Sequence, residues 1–156
     1  MSDSLCVDNV LQRTYTGPAN SDTAGTFRTY LRRWLDVTVE IDTDRVADIV
    51  LATYEALANC AEHAYRNGHA PAEGAVMTLN MSHDRAEDVV QICITDHGGW
   101  VDAKPATTIT AIGGRGLILM HRLADNCAVR SSSDGTSVRL HFRRCRTLSA
   151  AIDGVN

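Results

Sequence analysis

Between Asp42 and Gly68 the positions Val46, Ile49, Val50, Thr53, Leu57, Cys60 and Ala64 recur every three or four residues. That period predicts one long helix whose single stripe packs on a sheet. Asp42, Thr43 and Asp44 offer N-cap acceptors before it, and Gly68 offers a C-cap after it. Phe27, Tyr30, Leu31 and Trp34 have the same spacing and predict an earlier helix, capped by Ser21 or Asp22 and ending near Leu35. Weak alternation over residues 7–16, closed by Thr16-Gly17-Pro18, predicts an edge strand. Two β-rich runs, residues 75–81 and 88–95, flank the polar His83-Asp84-Arg85 and predict a hairpin.

Residues 96–116 carry glycines, Pro105 and threonines without a period, which predicts a long loop, and long loops in small domains are usually functional. A short helix over residues 116–124 follows, then strands over 128–132 and 137–143 joined by a turn at Asp134-Gly135. The last dozen residues read as a frayed tail. This order predicts an α/β (α+β) two-layer sandwich, an antiparallel-rich sheet covered on one face by helices.

Composition narrows the class. A chain of 156 residues with 44% apolar and 22% charged residues reads as one domain, residues 1–156, with a core over about 8–143 and a tail over 144–156. A formal charge of -4 argues against a nucleic-acid backbone as partner. No run approaches the roughly 18 apolar residues of a membrane span, and Asp3 and Asp8 stand where a signal peptide would be basic, so a cytoplasmic protein is expected. Five scattered cysteines (Cys6, Cys60, Cys93, Cys127 and Cys145) form neither a disulfide framework nor a CxxC pattern and read as free, mostly buried thiols. Lys104, the single lysine, sits in no G-K-[ST] or V-A-I-K context, which excludes a P-loop or a eukaryotic-type kinase fold.

Four segments could carry chemistry. Glu55 and Asn59 lie at i, i+4 on the long helix, on the side away from the apolar stripe. Taken alone they are a solvated polar face with Asp48, Glu62 and Arg66. Asp96, with Gly98 and Gly99 close behind, ends a β-rich run, where a carboxylate suits a donor-bearing ring such as adenine and where a plain turn is the simpler reading. Gly113, Gly114, Arg115, Gly116 and Leu117 feed a helix start, which is an anion site or a flexible connector. Thr136 follows the Asp134-Gly135 turn and could join a hydrogen-bond network or simply favour a strand.

In this order the four segments resemble the anti-sigma factor serine kinases of the Bergerat (GHKL) ATPase fold. EALANCAEHAY from Glu55 resembles their N-box, and Asp96 to Trp100 their first glycine box. GGRGLILM from Gly113 resembles the second glycine box, and Gly135 to Leu140 the strand bearing their Gly-Thr. The resemblance covers about residues 8–143. It implies ATP and Mg²⁺ as cofactors, Asn59 as metal ligand and Glu55 as the group that orients or deprotonates a protein hydroxyl. It further implies Asp96 and Thr136 at adenine, Gly98, Gly114, Arg115, Gly116 and Leu117 at the phosphates, and residues 101–112 as a lid.

The implied partners are a sigma factor, an anti-anti-sigma factor that is phosphorylated, and a second copy in a homodimer. The first glycine box departs from the family's D-x-G-x-G plus aromatic, reading D-H-G-G-W. That departure motivates an alternative, a partner-switching anti-sigma module without kinase turnover. A stray histidine-kinase catalytic domain is a third reading, disfavoured because this length leaves no room for a dimerisation domain. Cys60 and His63 at i, i+3 find no second ligand pair, and Arg143, Arg144 and Arg146 read as a solvated strand end.

Overall fold

Alternation along the strands sets up two unlike sheet faces. In the computed structural model, which describes residues 10–63, 74–97, 114–132 and 135–149, five strands form one sheet in the order β1-β3-β4-β6-β5, every ladder antiparallel. The strands are β1 (Val10–Pro18), β3 (Val76–Asp84), β4 (Val89–His97), β5 (Asn126–Ser132) and β6 (Gly135–Phe142). Met77, Leu79 and Met81 of β3, Ile92 and Ile94 of β4, and Leu140 of β6 are fully buried on one face. Against that face pack α1 (Ser21–Thr38), α2 (Thr43–His63) and α3 (Gly114–Leu123), through residues such as Leu31, Leu57 and Met120. Burying one side chain of Leu57's size contributes roughly 2 kcal/mol.

The opposite face is polar and is stitched across register partners. Thr16 and Thr78 share a 2.9 Å hydroxyl contact, Asn80 Nδ2 donates to Thr14 Oγ1 at 2.6 Å, and His141 Nε2 donates to Gln91 Oε1 at 2.6 Å. Burial, with the charges of Arg139 and Arg143, pushes the His141 imidazole below its usual range. The result is the two-layer α/β sandwich with helices on one side. No described helix is long and apolar enough to cross a membrane.

Several boundaries differ from those expected. The cap of α1 is Asn20, whose side chain accepts from Thr23 N at 2.8 Å, rather than Ser21 or Asp22, and the helix runs on to Thr38. Asp42 does cap α2, accepting from Arg45 N at 2.7 Å, while Gly68 lies outside the described residues. β1 continues through Gly17-Pro18, because an edge strand tolerates a proline that cannot donate. Asp96 and His97 belong to β4, and α3 begins at Gly114, so the expected loop is shorter at both ends; residues 98–113 lie outside the described set.

The expected hairpin forms, with Asp88 left-handed at φ 56° in its turn, but His83 belongs to the strand and not to the turn. Its ring is fully buried and Nε2 donates to Cys145 O at 2.7 Å. That bond bears on the expected tail. Cys145 is fully buried and its N–H donates to Asp88 O at 2.8 Å. β7 (Arg146–Thr147) pairs with β2 (Val39–Glu40), and Leu148 N donates to Thr38 O at 2.9 Å. A two-residue ladder is too short to leave a periodic signal, so sequence reading took this segment for fraying. Cys60, Cys93, Cys127 and Cys145 are free thiols, Cys60 and Cys145 buried and the other two half-buried. Cys6 lies outside the described residues.

Two stability predictions follow from this packing. Thr53 is buried on α2 with Oγ1 lacking a partner among the described residues. Thr53→Val removes a desolvated hydroxyl at constant shape and should raise stability by about 1 kcal/mol in denaturant unfolding. A loss would show that the hydroxyl is satisfied.

Asp125 provides the second test. Burial works to raise its pKa, but the Arg143 N–H (2.6 Å) and the Arg45 guanidinium (2.6 Å) outweigh that and hold the carboxyl below its ordinary value. A depressed folded pKa gives stability that is complete above the unfolded value of about 3.9 and is lost as pH falls through the folded value. Asp125→Asn should therefore flatten the acid limb of the stability-pH curve, modestly because the pair is partly exposed, while the neutral-pH difference from wild type disappears in strong acid.

Candidate functional site

The centre of the site is the seam between α2 and α3. Helix α2 turns Ile49, Leu57 and Cys60 inward, and Ala52 and Ala56, both fully buried, extend the buried surface around one side of the helix. Beyond those two alanines come Glu55 and Asn59, half-buried. They meet Gly116 of α3. A methyl built on Gly116 would stand 3.1 Å from Glu55 Oε1 and 3.1 Å from Asn59 Nδ2. A hydrogen at that position is what lets the backbone of α3 approach the pair. The pair is thus not a solvated face.

Asn59 Nδ2 is buried and has no hydrogen-bond partner among the described residues. A buried amide donor left without an acceptor is costly, and an incoming oxygen would satisfy it. The same seam holds the first turn of α3, made by Gly114, Arg115, Gly116 and Leu117. Helix starts leave backbone N–H groups without intrahelical acceptors and carry partial positive charge, and this first turn has no acidic residue of its own. The Leu117 side chain is buried in the core, so only its backbone is available to a ligand. An orphaned amide donor of α2 and the first turn of α3 therefore meet at Gly116, a fit for the phosphate oxygens of a nucleotide.

The second half of the site is built by the sheet. Asp96, next to the end of β4, is 4% exposed, and Thr136, the second residue of β6, is 5% exposed. The β4–β6 ladder runs to Thr95 opposite Ser137, so one further step sets Asp96 beside Thr136. Gly135, at φ 136°, lies in the left-handed region open to glycine and turns the chain into β6. Cys60, next to Asn59 on α2, ties the two halves together. Burial first, and the Asp96 carboxylate second, push its thiol up to about 12.

Glu55, Asn59, Gly116, Asp96 and Thr136 thus gather at one end of the sheet. Gly114 and Arg115 stand in α3's first turn, and Gly98 and residues 101–112 lie outside the described residues. Sequence reading missed two things. Gly116 bears directly on Glu55 and Asn59, and Cys60 feels the charge of the Asp96 carboxylate; its adjacency to Asn59 was the available signal. Among the described residues no group of three or more His, Cys, Asp or Glu could hold a metal by itself.

Comparison with known proteins gives the family. Residues 17–142 match the family model described as the histidine kinase-like ATPase domain. A serine-protein kinase RsbW of Halalkalibacterium halodurans is 26% identical over 125 residues, covering 72% of each chain. A second RsbW, from Bacillus pumilus, is 31% identical over 111 residues, covering 64% of this chain and 66% of the relative. Among solved structures, the RsbU and RsbW domains of Rv1364c from Mycobacterium tuberculosis superpose with a TM-score of 0.62 at 24% identity. That match covers 88% of this chain and 34% of the larger one. The chain belongs to the histidine kinase-like ATPase domain family, and these relatives bear out its resemblance to the anti-sigma factor serine kinases within it.

Proposed function

We propose that this chain binds Mg²⁺-ATP between α2, the end of β4 and the first turn of α3, and phosphorylates a serine or threonine of an anti-anti-sigma partner. In alternation it sequesters a sigma factor, acting in the cytoplasm as a homodimer. The observation that carries the reading is the seam in which Gly116 abuts Glu55 and Asn59 while the Asn59 amide donor lacks an acceptor. Bound Mg²⁺-ATP supplies the γ-phosphoryl group.

The chain's own residues do the rest. The orphaned Asn59 Nδ2 would donate to a phosphate oxygen, and the Asn59 amide oxygen is the hard ligand a magnesium ion prefers. Glu55, one turn earlier, takes the proton from the attacking hydroxyl at its carboxylate. The backbone of Gly98, Gly114, Arg115, Gly116 and Leu117 donates to phosphate oxygens, and the Arg115 guanidinium adds charge-assisted bonds. Asp96 accepts from the adenine amino group, which selects adenine over guanine, and Thr136 supports it.

The test is Mg²⁺-dependent transfer of labelled phosphate from ATP to the cognate anti-anti-sigma partner. Glu55→Gln should lower turnover by about 10²- to 10⁴-fold, the usual worth of a general base, with nucleotide binding kept, whereas Asn59→Ala should lose both. If wild type binds ATP but transfers nothing, the chain is a switching module without turnover, the reading its D-H-G-G-W box favours. Absence of any nucleotide binding overturns the proposal.

Gly116→Ala separates site geometry from stability. Alanine is favoured over glycine in a helix by about 1 kcal/mol, so the melting temperature should hold or rise. Displacing Glu55 and Asn59 should nevertheless reduce turnover by roughly 10- to 100-fold. Unchanged turnover would show that the contact does not position the pair.

A further inference from the structure

Glu55 and Asn59 can be approached from two sides. Gly116 and the first turn of α3 occupy one of them. The other lies over the outer ridge of α2, where the helical period brings Leu51, Glu55, Ala58 and Glu62 into line. Leu51 is 43% exposed and Glu62 is exposed, so this ridge faces solvent. A protein hydroxyl that is to reach the Glu55 carboxylate has to come over it, because in the kinase reading the α3 side holds the phosphates.

Beside that ridge a groove of about 250 Å³ opens between the start of α1 and the second half of α2. Ser21 and Ala24 line it from α1, and Tyr54, Ala58, Ala61 and Glu62 line it from α2. Ala24 and Ala61 are buried and make its floor, Tyr54 and Ala58 are half-buried walls, and the polar Ser21 and Glu62 stand exposed at the rim. The Arg28 guanidinium stacks 4.8 Å over the Tyr54 ring and braces that wall. Three alanines stand where larger side chains would fill the space between the two helices. The groove is smaller than the roughly 300–1,000 Å³ of a small-molecule site, and its floor carries no charge. One large apolar side chain is the occupant it fits.

We propose that this groove takes an apolar side chain of the protein segment that carries the phosphorylated serine or threonine, and so selects the substrate. Ala58 belongs both to the groove and to the ridge, one helical turn from Glu55. The groove residues from Ala58 to Glu62 lie roughly 5 to 10 Å beyond Glu55 along the α2 axis, a span that about two or three residues of extended chain cover. The anchor therefore stands two or three residues from the acceptor hydroxyl. A single buried anchor of this kind carries a large share of the affinity of a small interface. The inference deepens the kinase reading and rests on it.

Steady-state transfer of labelled phosphate from Mg²⁺-ATP to the cognate anti-anti-sigma partner tests it with Ala58→Leu, which fills the groove with a good helix former. KM for the partner should rise at least about tenfold, the worth of one buried apolar side chain, while kcat and the Kd for ATP stay within about twofold. In the partner, the apolar residues within about three positions of the acceptor are replaced by alanine one at a time. One of these replacements should raise KM as much with the wild-type chain and add nothing with Ala58→Leu. That scan with the wild-type chain decides the matter should Ala58→Leu fail to fold. An unchanged KM with Ala58→Leu, a loss confined to kcat or to ATP affinity, weakened sigma-factor binding at constant KM, or a scan in which no residue matters overturns the groove and leaves the kinase reading standing. Absence of transfer by wild type overturns both.

Discussion

Helix α2 has to be buried on more than one side. The sheet takes its inner stripe, α1 packs along one flank and α3 along the other. Along the middle of this helix Glu55 and Asn59 occupy the half-buried margin where α3 closes on it. Because α3 arrives with glycine at position 116, the margin closes to contact distance without excluding the two side chains. The rest of the site follows from that closure. Gly116 of the α3 first turn abuts the pair, and Cys60, next to Asn59, feels the charge of Asp96 at the end of the sheet.

Much of this was legible in the sequence where periodicity is long. The stripe from Val46 to Cys60 specified α2 and the side on which it meets the sheet, and the alternation after Ala75 specified β3. The i, i+4 placement of Glu55 and Asn59 put them together, but a helical wheel cannot say what lies across from them. It labelled them solvated because the contact that half-buries them comes from a residue some sixty positions later. Asp96 and Thr136 are similar: each looked like a turn residue, and only the β4–β6 register makes them neighbours.

The failures have a common cause. His83 was read as turn because histidine beside Asp84 and Arg85 looks polar; in the fold a single bond to Cys145 O allows its ring to be enclosed. The segment from Arg143 to Leu148 was read as loose because its anchors, Asp88 O, His83 and Thr38 O, belong to distant parts of the chain. Two-residue strands and backbone-to-side-chain anchors leave no pattern of their own. Local propensity is weakest where tertiary contacts supply the hydrogen bonds.

Helix α2 has 21 residues with neither glycine nor proline between Thr43 and His63, a body about 30 Å long. It has no hinge. Its two termini therefore behave as the ends of one stiff rod, and a load applied to the Asp42 end is felt at Asn59 as rotation or translation of the whole element, not as local bending.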